Sequence, residues 1–415
     1  MSIADPGGKA EKGFSRAAMI MPVYVPTFLL SFAQGMLIPI LPIFAKGFGV
    51  SFSLASLAVA AAGIGTLIAD VPVGMVLAQI GRRRAMFIGI FLAATTTLII
   101  PIAHNYPVLV LCRLVEGVGT ALWGLSRHAY ITDIAPRAQR GKFIASFGGI
   151  NRAGTFAGPI LGGTLADLFG LTAPYYLAAG MTAFAGVLAF VYIKETGSRA
   201  GVATRGHMRW KSVGRMMKTH RADLASAGAA QIFVAMIRSG RQLIIPLFGA
   251  YALGLTSGQI GTILTAAATI DMALFIPAGW LMDRFGRKVA SVPSFAIMAA
   301  GMLFIPFAHG FLGLLSAAVI IGLGNGIGSG SMMTLGADLA PPDAIGEFLG
   351  VWRFVGDAGS AGGPLVVGIV ADAVGLAATA FVLSGIGLVA ALILAALVRE
   401  TLEVEPLPHP EPATK

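Results

Sequence analysis

Moving residues 70–200 forward by 205 positions lays this chain on itself without a gap. Pro72 falls on Pro277, Gly74 on Gly279, the pair Gly81 and Arg82 on Gly286 and Arg287, and Pro101 and His104 on Pro306 and His309. Further along, Gly117 meets Gly322, Asp133 meets Asp338, Gly154 and Pro159 meet Gly359 and Pro364, Asp167 meets Asp372, and Glu195 meets Glu400. Two unrelated apolar segments would exchange Leu for Ile freely, but they would not hold Gly, Pro and charged residues in one register over such a length. The chain is therefore read as a duplicated half, and its fold must be one that two like halves build together.

Composition decides which solvent those halves face. Hydrophobic residues make up 56% of the chain and charged residues 12%, with a mean hydropathy of +0.82. Too few charged side chains remain to cover a water-facing surface, whereas a lipid-facing surface needs none. An all-α integral membrane protein follows. A net charge of +10 would point to nucleic acid in a soluble protein, but here the basic residues sit in short gaps between apolar runs and act as topology signals. No nucleic-acid partner is expected. Cys112, the single cysteine, lies in an apolar run and is read as a small packing residue. Residues 1–18 are polar, and the apolar stretch after them lacks a small-residue cleavage pattern, so no cleaved signal is read.

Each half contains six apolar runs near the ~20 residues that a helix needs to cross the hydrocarbon. They fall at 19–45, 54–77, 85–103, 108–132, 143–165 and 174–194, then at 223–250, 259–282, 289–308, 313–338, 347–369 and 375–398. The expected architecture is twelve transmembrane helices in two six-helix repeats, residues 19–194 and 223–398, related by a pseudo-twofold axis along the membrane normal. Residues 195–222 form a basic linker, of which 207–219 reads as an amphipathic helix on the anionic inner leaflet. Residues 399–415 are a tail. Apart from Lys46 and six arginines inside the runs, every Lys and Arg lies in the N-terminus, the loops around Arg82, Arg137 and Arg284, the linker or the tail. That asymmetry puts both termini and the linker in the cytoplasm, and the short tight loops point to a bacterial inner membrane.

Charge inside a bilayer is costly and faces protein or a water-filled cavity. Gln34 lies in the first run, Asp70 in the second, Arg113, Glu116, Arg127 and His128 in the fourth, and Asn151 and Arg152 in the fifth. In the second half, Gln231, Arg238 and Arg241 lie in the seventh run, Asp271 in the eighth, Asn325 in the tenth, and Arg353 and Asp357 in the eleventh. The third, sixth, ninth and twelfth runs carry no ionisable residue between their ends. Each half thus divides into cavity-lining and lipid-facing helices, the layout of a solute carrier with a polar passage.

At this point the residues carry a family resemblance. Gly279 to Lys288, with Asp283, Arg284, Gly286 and Arg287, resembles the signature loop of the major facilitator superfamily, and Gly74 to Arg83, with Gly81 and Arg82, is its twin. Residues 113–119, from Arg113 through Glu116 to Gly119, resemble the fourth-helix motif of proton-driven members. Residues 154–163, with Gly154, Gly158, Pro159, Gly162 and Gly163, resemble the fifth-helix motif of the antiporter branch, as in twelve-helix drug–proton exporters. The resemblance spans nearly the whole chain. It implies two rocking bundles, with the second helix packed on the eleventh and the fifth on the eighth. One departure stands out: Ala78 occupies the place of an Asp in the family's first loop, so the loop's carboxylate contact with a neighbouring helix end is expected from Asp283 alone.

Asp70, Glu116, Asp271 and Asp357 are the proton-coupling candidates, because a buried carboxyl's proton affinity depends on desolvation and on neighbouring arginines. Arg113 joins them, being three residues from Glu116 on one helical face, where a purely structural ion pair is an equally good reading. Gln34, Asn151, Arg152, Arg238, Arg241, Asn325 and Arg353 are the substrate-cavity candidates. Gly154, Gly158 and Gly162 recur every four residues on one face, which suits close packing or, with Pro159 beside them, a gate. Depth along the runs, at about 1.5 Å per residue, sets Arg152 against Asp271 and Asp70 against Arg353 across the two bundles. The chain reads as a monomeric exporter of a small amphipathic, drug-like compound in exchange for protons, with no cofactor and no metal. An organic-anion carrier is the alternative, since six intramembrane arginines outnumber four carboxylates. A membrane sensor or enzyme is a third reading, opposed by the absence of a nucleophile–base constellation and by the twofold repeat.

Overall fold

The computed structural model describes residues 19–134, 140–193, 195, 210–342 and 344–402. The N-terminal segment 1–18, the loop at Arg137, most of the linker and the end of the tail lie outside the described residues. Twelve helical passes follow one another. They are α1 (Ile20–Leu37, continued by Ile40–Lys46), α2 (Phe52–Ile80), α3 (Arg82–Ile99), α4 (Tyr106–Ile134), α5 (Arg140–Phe169) and α6 (Ala173–Tyr192), then α7 (Arg221–Tyr251), α8 (Ser257–Ala273 and Phe275–Phe285), α9 (Arg287–Phe304), α10 (Gly310–Leu339), α11 (Ile345–Val374) and α12 (Leu376–Ala396). Ten of these are long and apolar enough to cross a membrane, and α8, bent by about 40°, makes eleven. The remaining pass, α5, is long enough at 30 residues but is diluted by Asn151, Arg152 and Asp167. It packs between α1 and α8, where protein rather than lipid receives its polar face.

The sequence repeat is matched in space. In the first half α1 packs on α5 and α6, α2 on α4, and α3 on α4 and α6; in the second, α7 packs on α11 and α12, α8 on α10, and α9 on α10 and α12. Two main seams join the halves, α2 with α11 and α5 with α8, and the same twofold exchanges them. Glycine sets the closest approaches within a half. A Cβ on Gly117 would come within 2.1 Å of the Ala62 carbonyl oxygen, and one on its repeat partner Gly322 within 2.3 Å of that of Ala267, so α4 on α2 and α10 on α8 meet backbone to backbone.

The two signature loops are also built alike. Gly81 and Gly286 turn the chain at φ of 82° and 104°, a region that glycine enters without steric cost. Glu195 accepts a hydrogen bond from the Arg82 N–H at 3.1 Å, and Glu400 accepts from the Arg287 and Lys288 N–H groups at 2.8 and 2.9 Å. Each glutamate thus caps the helix that follows the turn. Arg82 pairs with Asp133 at 2.8 Å and Arg287 with Asp338 at 2.9 Å, again repeat partners. The contact with a neighbouring helix end is made by Arg287, on Asp338 near the end of α10, and among the described residues Asp283 makes no contact with the other half. Its side chain is 80% exposed and lies 3.5 Å from Arg287, whose other partners, Asp338 and the Met282 carbonyl, belong to the same half. Arg284 rests over Trp280 and Phe285. Gly74 and Gly279 have open space where a Cβ would stand, so packing here does not require glycine.

Glu400 lies beyond the last pass and gives a pH-dependent test of the capping. Partial burial pushes its carboxyl up, but four backbone N–H groups outweigh this and hold it below its usual range. With a folded value below the unfolded one, the cap stabilises fully above the unfolded range and fades as pH falls through the folded value. Glu400→Gln is expected to lower the melting temperature at pH 7, with the gap to wild type closing below about pH 4. A gap that does not change with pH would contradict the cap.

A helix does form in the linker, at Trp210–Thr219. It is docked on the protein: Val213 and Met216 are buried, and the helix packs on α11 and α7. The apolar face expected to rest on lipid is therefore spent, at these two residues, on the second half.

Candidate functional site

The halves close on each other at the ends remote from the Arg82 and Arg287 loops. Asp372, near the end of α11, accepts hydrogen bonds from the Phe52 and Ser53 N–H groups of α2, both at 2.8 Å. Its repeat partner Asp167, near the end of α5, accepts from the Gly258 N–H of α8 at 2.9 Å. One device is used twice: a carboxylate of one half satisfies unpaired N–H groups at a helix start of the other. Glycines make the contact close. A Cβ on Gly163 would lie 2.2 Å from the Ser257 oxygen, and one on Gly261 2.2 Å from the Pro159 oxygen. The rest of the fifth-helix motif faces inward. Gly154, Gly158 and Gly162 pack on Phe28, Gly35 and Met36 of α1, so these three serve packing within a half, while Pro159 and Gly163 meet the opposite bundle.

This arrangement fixes the effect of bulk at the seam. Overpacking costs about 1–3 kcal/mol, roughly a five- to 150-fold shift between closed and open forms. Gly261→Leu is expected to cut transport by about that factor while each half melts as in wild type. Full activity would show that this end need not close so tightly.

Between the closed end and the basic loops lies a cavity of about 820 Å³. Of the expected residues, Gln34, Asn151, Arg238, Arg353 and Asp357 line it; Trp123, Arg127, His128, Gln231 and Trp352 line it as well. A smaller cavity of about 260 Å³ shares Asn151 and is lined by Arg152, Arg241 and Asp271. The lining side chains come from both halves, so the larger cavity belongs to neither bundle alone.

Asp271 is the hub of the charge network. Its Oδ2 accepts from Asn325 Nδ2 at 2.5 Å and lies 3.6 Å from Arg241, while its Oδ1 lies 3.9 Å from Arg152 of the other half. Asn325 also accepts from Arg238 Nε at 2.9 Å, and Arg238 donates to the Gly328 carbonyl at 3.0 Å. The acid missing from α7 is therefore supplied by α8, and Asn325 stands behind Arg238 as a bridge instead of on the cavity wall. Arg152 also donates to Ser329 Oγ across the seam, and Ser31 donates to Asn151 within the first half. On the other seam, Arg353 lies 3.4 Å from Asp357 and 3.9 Å from Asp70. Both cross-bundle pairs read from matched depth are present, each at 3.9 Å.

Arg113 and Glu116 stand apart. They form a 2.5 Å pair, Glu116 is 7% exposed, and neither lines the cavity. The expected proton route between Glu116 and the cavity has no opening in this conformation. Arg127, His128 and Gln231 read as polar residues of their runs without being assigned to the cavity that they line, and Ser329 escaped notice because it sits in a Gly-rich stretch where α10 breaks. No group of His, Cys, Asp and Glu suited to a metal occurs among the described residues.

Two like six-helix bundles meet around a cavity with charged side chains from both, the layout of a solute carrier. The profile of the Major Facilitator Superfamily matches residues 23–236 and again 227–415, and the chain belongs to this superfamily. It is 23% identical over 371 residues to an uncharacterized MFS-type transporter of Methanocaldococcus jannaschii, covering 89% of this chain and 94% of that one. It is 30% identical over 173 residues to the quinolone resistance protein NorA of Staphylococcus aureus, an alignment that covers 41% of this chain and 43% of NorA. Among solved structures, a D-xylose-proton symporter superposes with a TM-score of 0.76 at 18% identity, covering 93% of this chain and 99% of that one, which bears on the fold alone.

Proposed function

We propose that the chain exports a small amphipathic compound in exchange for protons, by rocking of its two bundles. The observation that carries this reading is the pair of partly buried carboxylates, Asp70 and Asp271, each facing an arginine of the opposite half, Arg353 on the larger cavity and Arg152 on the smaller. Asp70 Oδ1 and Asp271 Oδ1 have no hydrogen-bond partner among the described residues, so each offers a lone pair where a proton can bind. Binding there cancels the charge that attracts Arg353 or Arg152 and loosens a seam. Proton occupancy and bundle closure are thereby linked, as exchange requires. The fifth-helix motif and the partial similarity to a quinolone resistance protein support export of drug-like compounds.

In this reading both termini and the Arg82 and Arg287 loops face the cytoplasm, which the distribution of basic residues supports, and the protein is a multi-pass monomer in a plasma (inner) membrane. The cavity then opens toward the cytoplasm, where an exporter loads. Everted membrane vesicles from exporter-deficient cells test the reading. With the lumen acidified by respiration, a quinolone or another amphipathic compound from an inhibitor panel is expected to release lumenal protons in vesicles carrying the chain, and not in those carrying Asp271→Asn. A panel that inhibits growth equally with and without the chain, and releases no protons, would sink the proposal.

A further inference from the structure

We infer that Arg127 anchors the acidic group of an amphipathic organic anion in the central cavity, an inference that rests on the transport reading above and names its substrate class. Six arginines lie within the apolar runs, and five have polar partners in the protein: Arg113 has Glu116, Arg152 and Arg241 have Asp271, Arg353 has Asp357 and Asp70, and Arg238 has Asn325 and the Gly328 carbonyl. Arg127 has no ion pair and no hydrogen bond among the described residues. It is 9% exposed, lines the cavity, and its Nε is buried without a hydrogen-bond partner. Nor is an acid at hand in the adjoining chain, because residues 135–145 contain none.

Its neighbours are aromatic and cationic. The guanidinium sits 3.8 Å from the Phe147 ring centroid and 5.5 Å from that of Trp123. Ring faces attract the cation but accept none of its five N–H donors in the plane of the fork. His128 beside it has Nδ1 tied to the Gly124 carbonyl at 2.8 Å, and Arg353 bears on both residues with a second positive charge. A carboxylate, sulfonate or phosphate entering the cavity supplies acceptors that the described residues do not, in the planar geometry that a guanidinium binds best. Trp123, Ile90, Leu349 and Trp352 on the same walls receive an apolar or aromatic body. Inorganic anions lack that body, and organic cations meet Arg127, Arg238 and Arg353 on the cavity wall against a single lining acid, Asp357, which is already paired with Arg353.

The test is equilibrium binding to the full chain in nanodiscs, with three probes of one size: 2-naphthoate, neutral 2-naphthamide and cationic 2-naphthylmethylammonium. Wild type is expected to bind 2-naphthoate at least about ten-fold tighter than the other two, the scale of one charged hydrogen-bonded contact. Arg127→Gln should remove this preference and leave 2-naphthamide unchanged, while Arg127→Lys retains part of it. Equal binding of the three probes, no binding of 2-naphthoate, or a parallel loss of 2-naphthamide in the Gln variant overturns the assignment. A fall in 2-naphthoate affinity when phosphatidylglycerol replaces phosphatidylcholine would give the site to a lipid headgroup and also overturn it. Proton release by everted vesicles with no Arg127-dependent selectivity would leave the exchange reading standing and remove this one; the reverse result would spare the site and remove the exchange.

Discussion

Asp271→Asn is expected to abolish coupled transport, and Arg152→Gln to impair it about ten-fold less severely. The asymmetry follows from the hub. Removing the Asp271 charge leaves both Arg152 and Arg241 without an acid; the loss falls mainly on Arg241, the less exposed of the two, and breaking a fully buried pair costs about 3–5 kcal/mol, an upper bound here. Removing Arg152 leaves Asp271 still paired with Arg241 at 3.6 Å and bonded to Asn325. Matched depth alone would suggest that exchanging the partners restores the pair. The structure changes that expectation: in the double variant Arg152→Asp, Asp271→Arg, the new cation would face Arg241. Recovery is therefore expected only when Arg241→Gln is added. Measured as a cycle of transport rates, a triple variant no better than the double would show that these charges act on the substrate and not on the seam.

Neutralising both outer caps is expected to open the closed end. Asp167→Ala and Asp372→Ala each remove a carboxylate from a helix start of the opposite half, at about 1 kcal/mol per cap. Two together, about 2 kcal/mol, shift the closed-to-open ratio roughly thirty-fold. Spin labels at His104 and His309, exposed repeat partners in the loops of that end, should report a longer distance in the double variant than in either single one. Because the caps are related by the twofold, the two single variants should resemble each other. A distance distribution unchanged from wild type would show that the glycine contacts at Gly163 and Gly261 hold this end without the caps.

Much of this was legible because a membrane chain advertises its exceptions. A glycine, proline or charge in an apolar run is expensive unless structure requires it, so the repeat of such residues traced the twofold; the charged ones marked several of the helices that line the cavity but missed α3, read as lipid-facing, whose Gly89, Ile90 and Ala93 line it. Depth counting worked for Arg152 with Asp271 and Arg353 with Asp70 because a straight helix rises evenly. It failed where partners come from turns or from uncharged side chains. The bond from Arg152 to Ser329 depends on the break in α10, and Asn325 acts as a bridge only because Arg238 lies in front of it. The role of Asp167 and Asp372 was hidden for another reason: each sits at a helix end, where an acid in an apolar chain passes for a loop residue, and only the packing of α5 on α8 and α11 on α2 turns it into a cap. Among the described residues Asp283 meets Arg287 of its own loop and makes no latch to the other half.

The central claim, exchange of solute for protons across two bundles, is tested most directly by uptake into proteoliposomes holding the purified chain. With the lumen more acidic than the bath, wild type is expected to accumulate a labelled quinolone or 2-naphthoate above the level that its own gradient allows, and a protonophore should collapse the excess. Asp271→Asn should show no such excess. Uptake by wild type that stops at equal concentrations and ignores the proton gradient would contradict the account.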